Sequence, residues 1–115
     1  MLHEKAITGR RAWTRLFDET MGALRFPFDG RELTSAEIFD LLQDRDRAKR
    51  EGAARSIADV LGRNIRLFAL ITNTLAKDKQ LEDGWRKFPR PISSRNLANQ
   101  VEDEVVDALI DAVRA

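Results

Sequence analysis

Arg86, Lys87, Arg90 and Arg95 place four cations within ten residues of the stretch WRKFPRPISSRNLANQ, residues 85–100, alongside two prolines and two aromatic side chains. Cations at that density could hold a carboxylate or a phosphate, or could brace one helix against another. Pro89 and Pro91 fix φ and push the residues before them toward extended backbone, so the spacing predicts a stiff ribbon that carries the cations. Stiffness favours recognition. The competing reading is an ordered connection between two helices, with Trp85, Phe88 and Ile92 packed beneath it to fill the end of a core.

Two other charged constellations have the same double character. Asp103, Asp107 and Asp111 recur every four residues, which lines three carboxylates along one helix face. A divalent cation could sit between neighbours, but metal sites usually recruit ligands from more than one element, and a solvated or lobe-pairing face is the simpler reading. Arg45, Arg47, Lys49, Arg50 and Arg55 could track phosphates along a helix. Asp44, Asp46, Glu51 and Asp59 lie among them and dilute the field.

Bond-making chemistry finds little support. The chain has no cysteine and a single histidine, His3, so the usual nitrogen and sulfur ligands of zinc are missing and no HExxH helix exists. A serine triad would need His3 with Ser35, Ser56, Ser93 or Ser94, none of which lies in a strand–turn–helix elbow. The six glycines never cluster into a phosphate-cradling loop.

The elements that must position these residues follow from composition and period. A chain of 115 residues, 43% hydrophobic and 34% charged, predicts one soluble helical domain. A net charge of +1 gives no global field toward nucleic acid or an anionic membrane, and neither is expected as a partner. Without cysteines, a signal-like N-terminus or a long apolar run, the expected location is cytoplasmic.

Trp13, Leu16, Phe17, Met21 and Leu24 recur at helical steps, which predicts a first amphipathic helix capped by Thr8. Asp29-Gly30 between short arms predicts a small hairpin or tight loop near residues 25–34. Thr34 and Glu37 form a capping-box pattern ahead of a short helix with Ile38, Leu41 and Leu42. A third helix from Asp46 turns Ala54, Ile57, Ala58 and Leu61 inward, with Gly62 as its stop. The fourth is apolar on more than one face at Ile65, Leu67, Phe68, Leu70, Ile71 and Leu75, which predicts a central position. Ser94 then caps a last helix whose stripe is Leu97, Val101, Val105, Ala108, Leu109 and Ala112. The fold class is therefore all-α, a bundle of four to five helices with one hairpin. The amphipathic period is still running at Ala115 with no stop signal, which suggests a piece of a longer protein.

The runs HEKAITGRRAWTRLFDETM, RLFALITNTLAKDK and ISSRNLANQVEDEVVDAL closely resemble the N-terminal region of bacterial oligoendopeptidase F, a zinc metallopeptidase family related to thimet oligopeptidase. The resemblance extends over nearly the whole chain. It implies a mostly helical cytoplasmic enzyme that encloses a deep channel and cleaves short peptides, with its zinc-binding HExxH helix well downstream of this region. None of the family's catalytic or zinc-binding positions falls within these residues, so the chain alone is expected to bind no zinc and to hydrolyse no peptide. Its implied partners are the catalytic lobe of the parent enzyme and oligopeptide substrate. Arg86, Lys87, Arg90 and Arg95 become candidates for contact with the channel or with a neighbouring lobe. The alternative, from another class, is a free-standing helical protein-interaction module.

Overall fold

The structure is a computed structural model that describes residues 2–115, the side chains of Leu2 and His3 excepted. The reading of His3 therefore lies outside the described residues. The order is α1 (Leu2–Thr8), α2 (Arg10–Ala23), β1 (Phe26–Phe28), β2 (Arg31–Leu33), α3 (Ser35–Asp40), a 3₁₀ turn (Leu41–Gln43), α4 (Arg47–Arg63), α5 (Ile65–Trp85), α6 (Ser93–Ala98) and α7 (Asp103–Arg114). Apart from one hairpin the fold is all-α. The chain divides into two compact units, Met1–Leu75 and Ala76–Ala115.

There are more helices than the four to five predicted. Leu2–Thr8 form α1, and Thr8 belongs to its last turn, where the hydroxyl donates to the Lys5 carbonyl at 3.3 Å instead of capping α2. α2 starts after Gly9 with no side-chain cap. At the other end, the predicted last helix is divided into α6 and α7.

In the first unit the hairpin is the nucleus of the core. Asp29 and Gly30 both take positive φ, 49° and 73°, the two-residue loop whose twist matches the flanking strands. The register Phe26↔Leu33, Pro27↔Glu32, Phe28↔Arg31 leaves Pro27 in the pair that exchanges no ladder hydrogen bonds, where its missing N–H costs nothing. Phe26 is completely buried with Ile38, Leu33, Ala53 and Val60 around it. Phe28 lies over Gly52, where a Cβ would meet the ring at 3.1 Å, so glycine permits the approach of strand to helix.

The caps fix where α3 and α4 begin. The Thr34 N–H donates to the Glu37 carboxylate at 2.7 Å and the Glu37 N–H to the Thr34 hydroxyl at 3.4 Å, the predicted reciprocal box. Those hydrogen bonds from the Thr34 backbone and hydroxyl hold the Glu37 carboxyl below its ordinary range. Asp46 caps α4 by accepting from the Ala48 N–H at 2.9 Å.

Two core expectations change. In α4 the inward positions are Ala53 and Val60, with Ile57 and Leu61 half-buried, whereas Ala54 and Ala58 are exposed. Turning the helix this way places Val60 in the core, which contributes more than the alanines it displaces. Nor does Gly62 stop the helix: Asn64 caps it, donating from Nδ2 to the Val60 carbonyl at 2.9 Å. The expectation that α5 is central also fails. Ile71 is buried and Leu67, Phe68 and Leu75 are half-buried, but Ile65 and Leu70 are exposed, so one face alone is covered. On that face Phe68 meets Phe17 of α2 edge to face, ring centroids 5.8 Å apart.

Among the described residues, no helix is long and apolar enough to cross a membrane.

Candidate functional site

The connection after α5 is a pair of turns, not an extended ribbon. α5 ends in a Schellman motif: the Phe88 N–H donates to the Asp83 carbonyl at 3.0 Å and the Lys87 N–H to the Gly84 carbonyl at 3.1 Å. Lys87 occupies the left-handed position at φ 56°, where glycine is usual. Pro91 then takes the second position of a β-turn closed by the Ser93 N–H to the Arg90 carbonyl at 3.0 Å, and the Ser93 hydroxyl accepts from the Arg90 N–H at 3.2 Å.

A second Schellman motif ends α6. The Val101 N–H reaches the Asn96 carbonyl at 3.0 Å and the Gln100 N–H the Leu97 carbonyl at 3.1 Å, with Gln100 at φ 54°. This break is what divides the predicted last helix. Ser94 does not cap α6; its hydroxyl accepts from the Lys79 ammonium at 3.2 Å, which also reaches Asp83 at 2.6 Å.

Across the turn, Arg90 clasps α7. Its guanidinium donates two hydrogen bonds to Asp107, at 2.9 and 2.8 Å, and stands 3.6 Å from Asp103. Asp103 also accepts from the Asn96 amide at 2.7 Å. Asn96 is the buried polar residue of this unit. The hydrogen bonds from Arg90 hold the Asp107 carboxyl below its ordinary range, and the same contact raises Arg90. Two rungs of the aspartate ladder are therefore used up by a single cation.

The four candidate cations separate by partner. Arg86 pairs with Glu82 at 3.0 Å, one helical turn back, and Arg90 is an internal strut to α7. Lys87 and Arg95 make no hydrogen bond or ion pair through their side chains among the described residues. Trp85, expected to anchor the connection from below, is 78% exposed, while Phe88 is half-buried.

The basic start of α4 is mostly occupied with its own structure. Arg50 donates to the carbonyls of Asp44 and Arg45 at 2.8 and 3.0 Å, Arg55 pairs with Glu51, and Lys49 stands 3.8 Å from Asp44. A shallow depression of about 430 Å³ lies beside it, lined by Pro27, Phe28, Asp29, Ala48, Lys49 and Gly52.

α7 is turned opposite to its expected sense. Asp103, Val106 and Asp107 are half-buried, whereas Val105, Leu109 and Val113 are 56%, 64% and 80% exposed, with Ala108 and Ala112 exposed beside them. The stripe predicted to face a core is exposed, and the contacts with Arg90 and Asn96 are made on the Asp103–Asp107 side of the helix.

Sequence reasoning named the cations but missed Asn96, Lys87 as a helix terminator and Gln100 as a break. No pattern in composition marks an asparagine as buried. The arrangement offers free cations and an apolar face, which suits contact with other molecules or segments more than bond chemistry. Among the described residues no group of three or more His, Cys, Asp or Glu could hold a metal ion. Comparison with family models, with curated proteins and with solved structures found no match for this chain.

Proposed function

We propose that the chain is the N-terminal helical lobe of an oligoendopeptidase F-like zinc metallopeptidase, a cytoplasmic enzyme that hydrolyses short peptides. The sequence runs described above carry the family resemblance. The structural observation that supports a lobe over a self-sufficient domain is the apolar side of α7, where Val105, Leu109 and Val113 are 56%, 64% and 80% exposed. A chain that turns the valines and leucine of α7 outward is suited to being covered by more protein.

The residues present do not fit a zinc site, so no catalytic step is assigned to them. Zinc in the parent enzyme would be held by an HExxH helix beyond this region. The lobe contributes walls. It admits peptides that are short and flexible enough to enter, and its exposed cations Lys87 and Arg95 are available to pair with a substrate carboxylate or an acidic side chain of a neighbouring lobe.

The second reading, a free-standing interaction module, draws on the same exposed face and on Trp85. The coding sequence beyond Ala115 discriminates. An HExxH motif in frame supports the peptidase lobe, and a stop codon directly after Ala115 overturns it in favour of the module.

A further inference from the structure

We infer that the depression between the hairpin and the start of α4 is a docking site for a short extended peptide. One apolar side chain of the peptide seats against Pro27, Phe28, Ala48 and Gly52, a basic side chain to one side of it meets Asp29, and an acidic side chain to the other meets Lys49. The identification of that peptide as an oligopeptide substrate rests on the peptidase-lobe reading; its chemistry rests on the depression itself.

The hairpin supplies one wall and the first turns of α4 the other. Asp29 and Gly30 reverse the chain at positive φ, which brings Pro27, Phe28 and Asp29 onto the first wall. On the second, Ala48 and Gly52 stand one helical turn apart, and neither carries a side chain long enough to fill the gap. The strand closes on the helix where Phe28 lies over Gly52, and beside that contact about 430 Å³ stays open. Sites for small ligands are commonly roughly 300–1,000 Å³.

One charge of each sign lines the depression, on different walls. Asp29 is exposed, and its carboxylate makes no hydrogen bond or ion pair among the described residues. Lys49 has one distant partner, Asp44 at 3.8 Å, and its side chain is 53% exposed, so its ammonium is open to a second carboxylate. An all-anionic ligand would meet Asp29, and an all-cationic one Lys49, like charge against like. An extended peptide turns alternate side chains to the same side, about 7 Å apart, so a basic, an apolar and an acidic residue at every second position match acid, apolar surface and base together. A second copy of the chain fits poorly, because two-fold pairing through this patch sets one concavity against another.

The probe is the pentapeptide Arg-Ala-Leu-Ala-Glu, acetylated and amidated so that only its side chains carry charge, titrated into the isotope-labelled 115-residue chain and followed by backbone amide shifts. The inference expects saturable shifts confined to residues around Asp29, Gly30, Lys49 and Gly52. Asp29→Asn, which suits the left-handed turn position, and Lys49→Gln should each weaken binding about two- to fivefold without changing the helical circular dichroism. Glycine in place of the central leucine should weaken it about fivefold or more. Shifts that do not saturate, equal binding of peptides with arginine or glutamate at both ends, or indifference to both variants overturns the inference. So do shifts at these residues that grow with protein concentration in the absence of peptide, which would assign the depression to a second copy. A full-length protein that binds zinc and cleaves peptides, beside a 115-residue chain that gives no saturable shift, would sink this inference and leave the peptidase reading intact. Charge-dependent binding by the chain, with a full-length protein free of zinc and inert, would keep the site and remove the peptidase reading.

Discussion

The Arg90 guanidinium holds the Asp107 carboxylate through two parallel hydrogen bonds of 2.9 and 2.8 Å, joining a proline turn to a helix seventeen residues further along the chain. Fork-on-carboxylate geometry of this kind adds direction as well as attraction. The pair lies on the Asp103–Asp107 side of α7, away from Val105 and Leu109. Neutralising Lys87 and Arg90 together is therefore expected to lower the stability of the chain only slightly, and through Arg90 alone, because the pair is solvent-exposed.

Acid should weaken the fold through two identifiable carboxyls. Asp107 and Glu37 both titrate below their ordinary values of 3.8 and 4.5 in the folded chain, Asp107 because of Arg90 and Glu37 because of Thr34. A depressed folded-state pKa gives stability that is present above the ordinary value and is lost as pH falls through the folded one. Arg90 stays charged across this window. Denaturation midpoints measured from pH 7 down to about 2 should fall on the acid side, and Asp107→Asn and Glu37→Gln should each flatten that limb. An acid limb unchanged in both variants would show that neither contact contributes.

The two left-handed residues make an opposite kind of test. Lys87→Gly and Gln100→Gly remove a backbone conformation that costs a residue with a Cβ about 1–2 kcal/mol, at the expense of greater freedom in the unfolded chain. Thermal denaturation should find each variant neutral to slightly stabilised. Lys87→Val, with a branched side chain in the same position, should destabilise by about 1–2 kcal/mol. If valine is tolerated as well as glycine, the Schellman turn is not formed.

Truncations should rank by burial, not by hydrophobicity. Phe26→Ala should cost about 3–5 kcal/mol and Ile71→Ala about 2–5 kcal/mol. Leu70→Ala, although on the same apolar run as Ile71, should stay within about 0.5 kcal/mol because its side chain is exposed in the isolated chain. Equal losses at Ile71 and Leu70 in chemical denaturation would restore α5 to the central role that its sequence suggests.

Asn96→Ala tests the least visible tie. The amide is buried against Asp103 at 2.7 Å, and its removal should destabilise by about 1–3 kcal/mol. Asn96→Asp should be no better, because it sets a second carboxylate beside Asp103. Wild-type stability in the alanine variant would mean that the bond to Asp103 holds nothing together.

How far the sequence could be read depends on whether a signal is local. The Thr34–Glu37 box, the Asp29-Gly30 turn and the start of a helix at Asp46 each depend on a few neighbouring residues, and each was legible. The orientation of α7 was not, because its period shows a stripe without saying which side the stripe faces. The contact that α7 makes on its acidic side comes from Arg90, seventeen residues upstream of Asp107. The same holds for α5, whose apolar breadth is a property of the helix while its covering is a property of what packs on it. Prolines at 89 and 91 suggested extended backbone, but the hydrogen bonds of Lys87, Phe88 and Ser93 fold the segment into turns.

The central claim is that this chain is one lobe of a zinc peptidase whose chemistry lies elsewhere in the same polypeptide. The most direct measurement is zinc content together with hydrolysis of short peptides, made on the purified full-length protein and on the isolated 115-residue chain in parallel. The account predicts one tightly bound zinc and chelator-sensitive turnover in the full-length protein, with neither in the isolated chain. A full-length protein free of zinc and inert toward peptides, or an isolated chain that binds zinc and turns over, would contradict it.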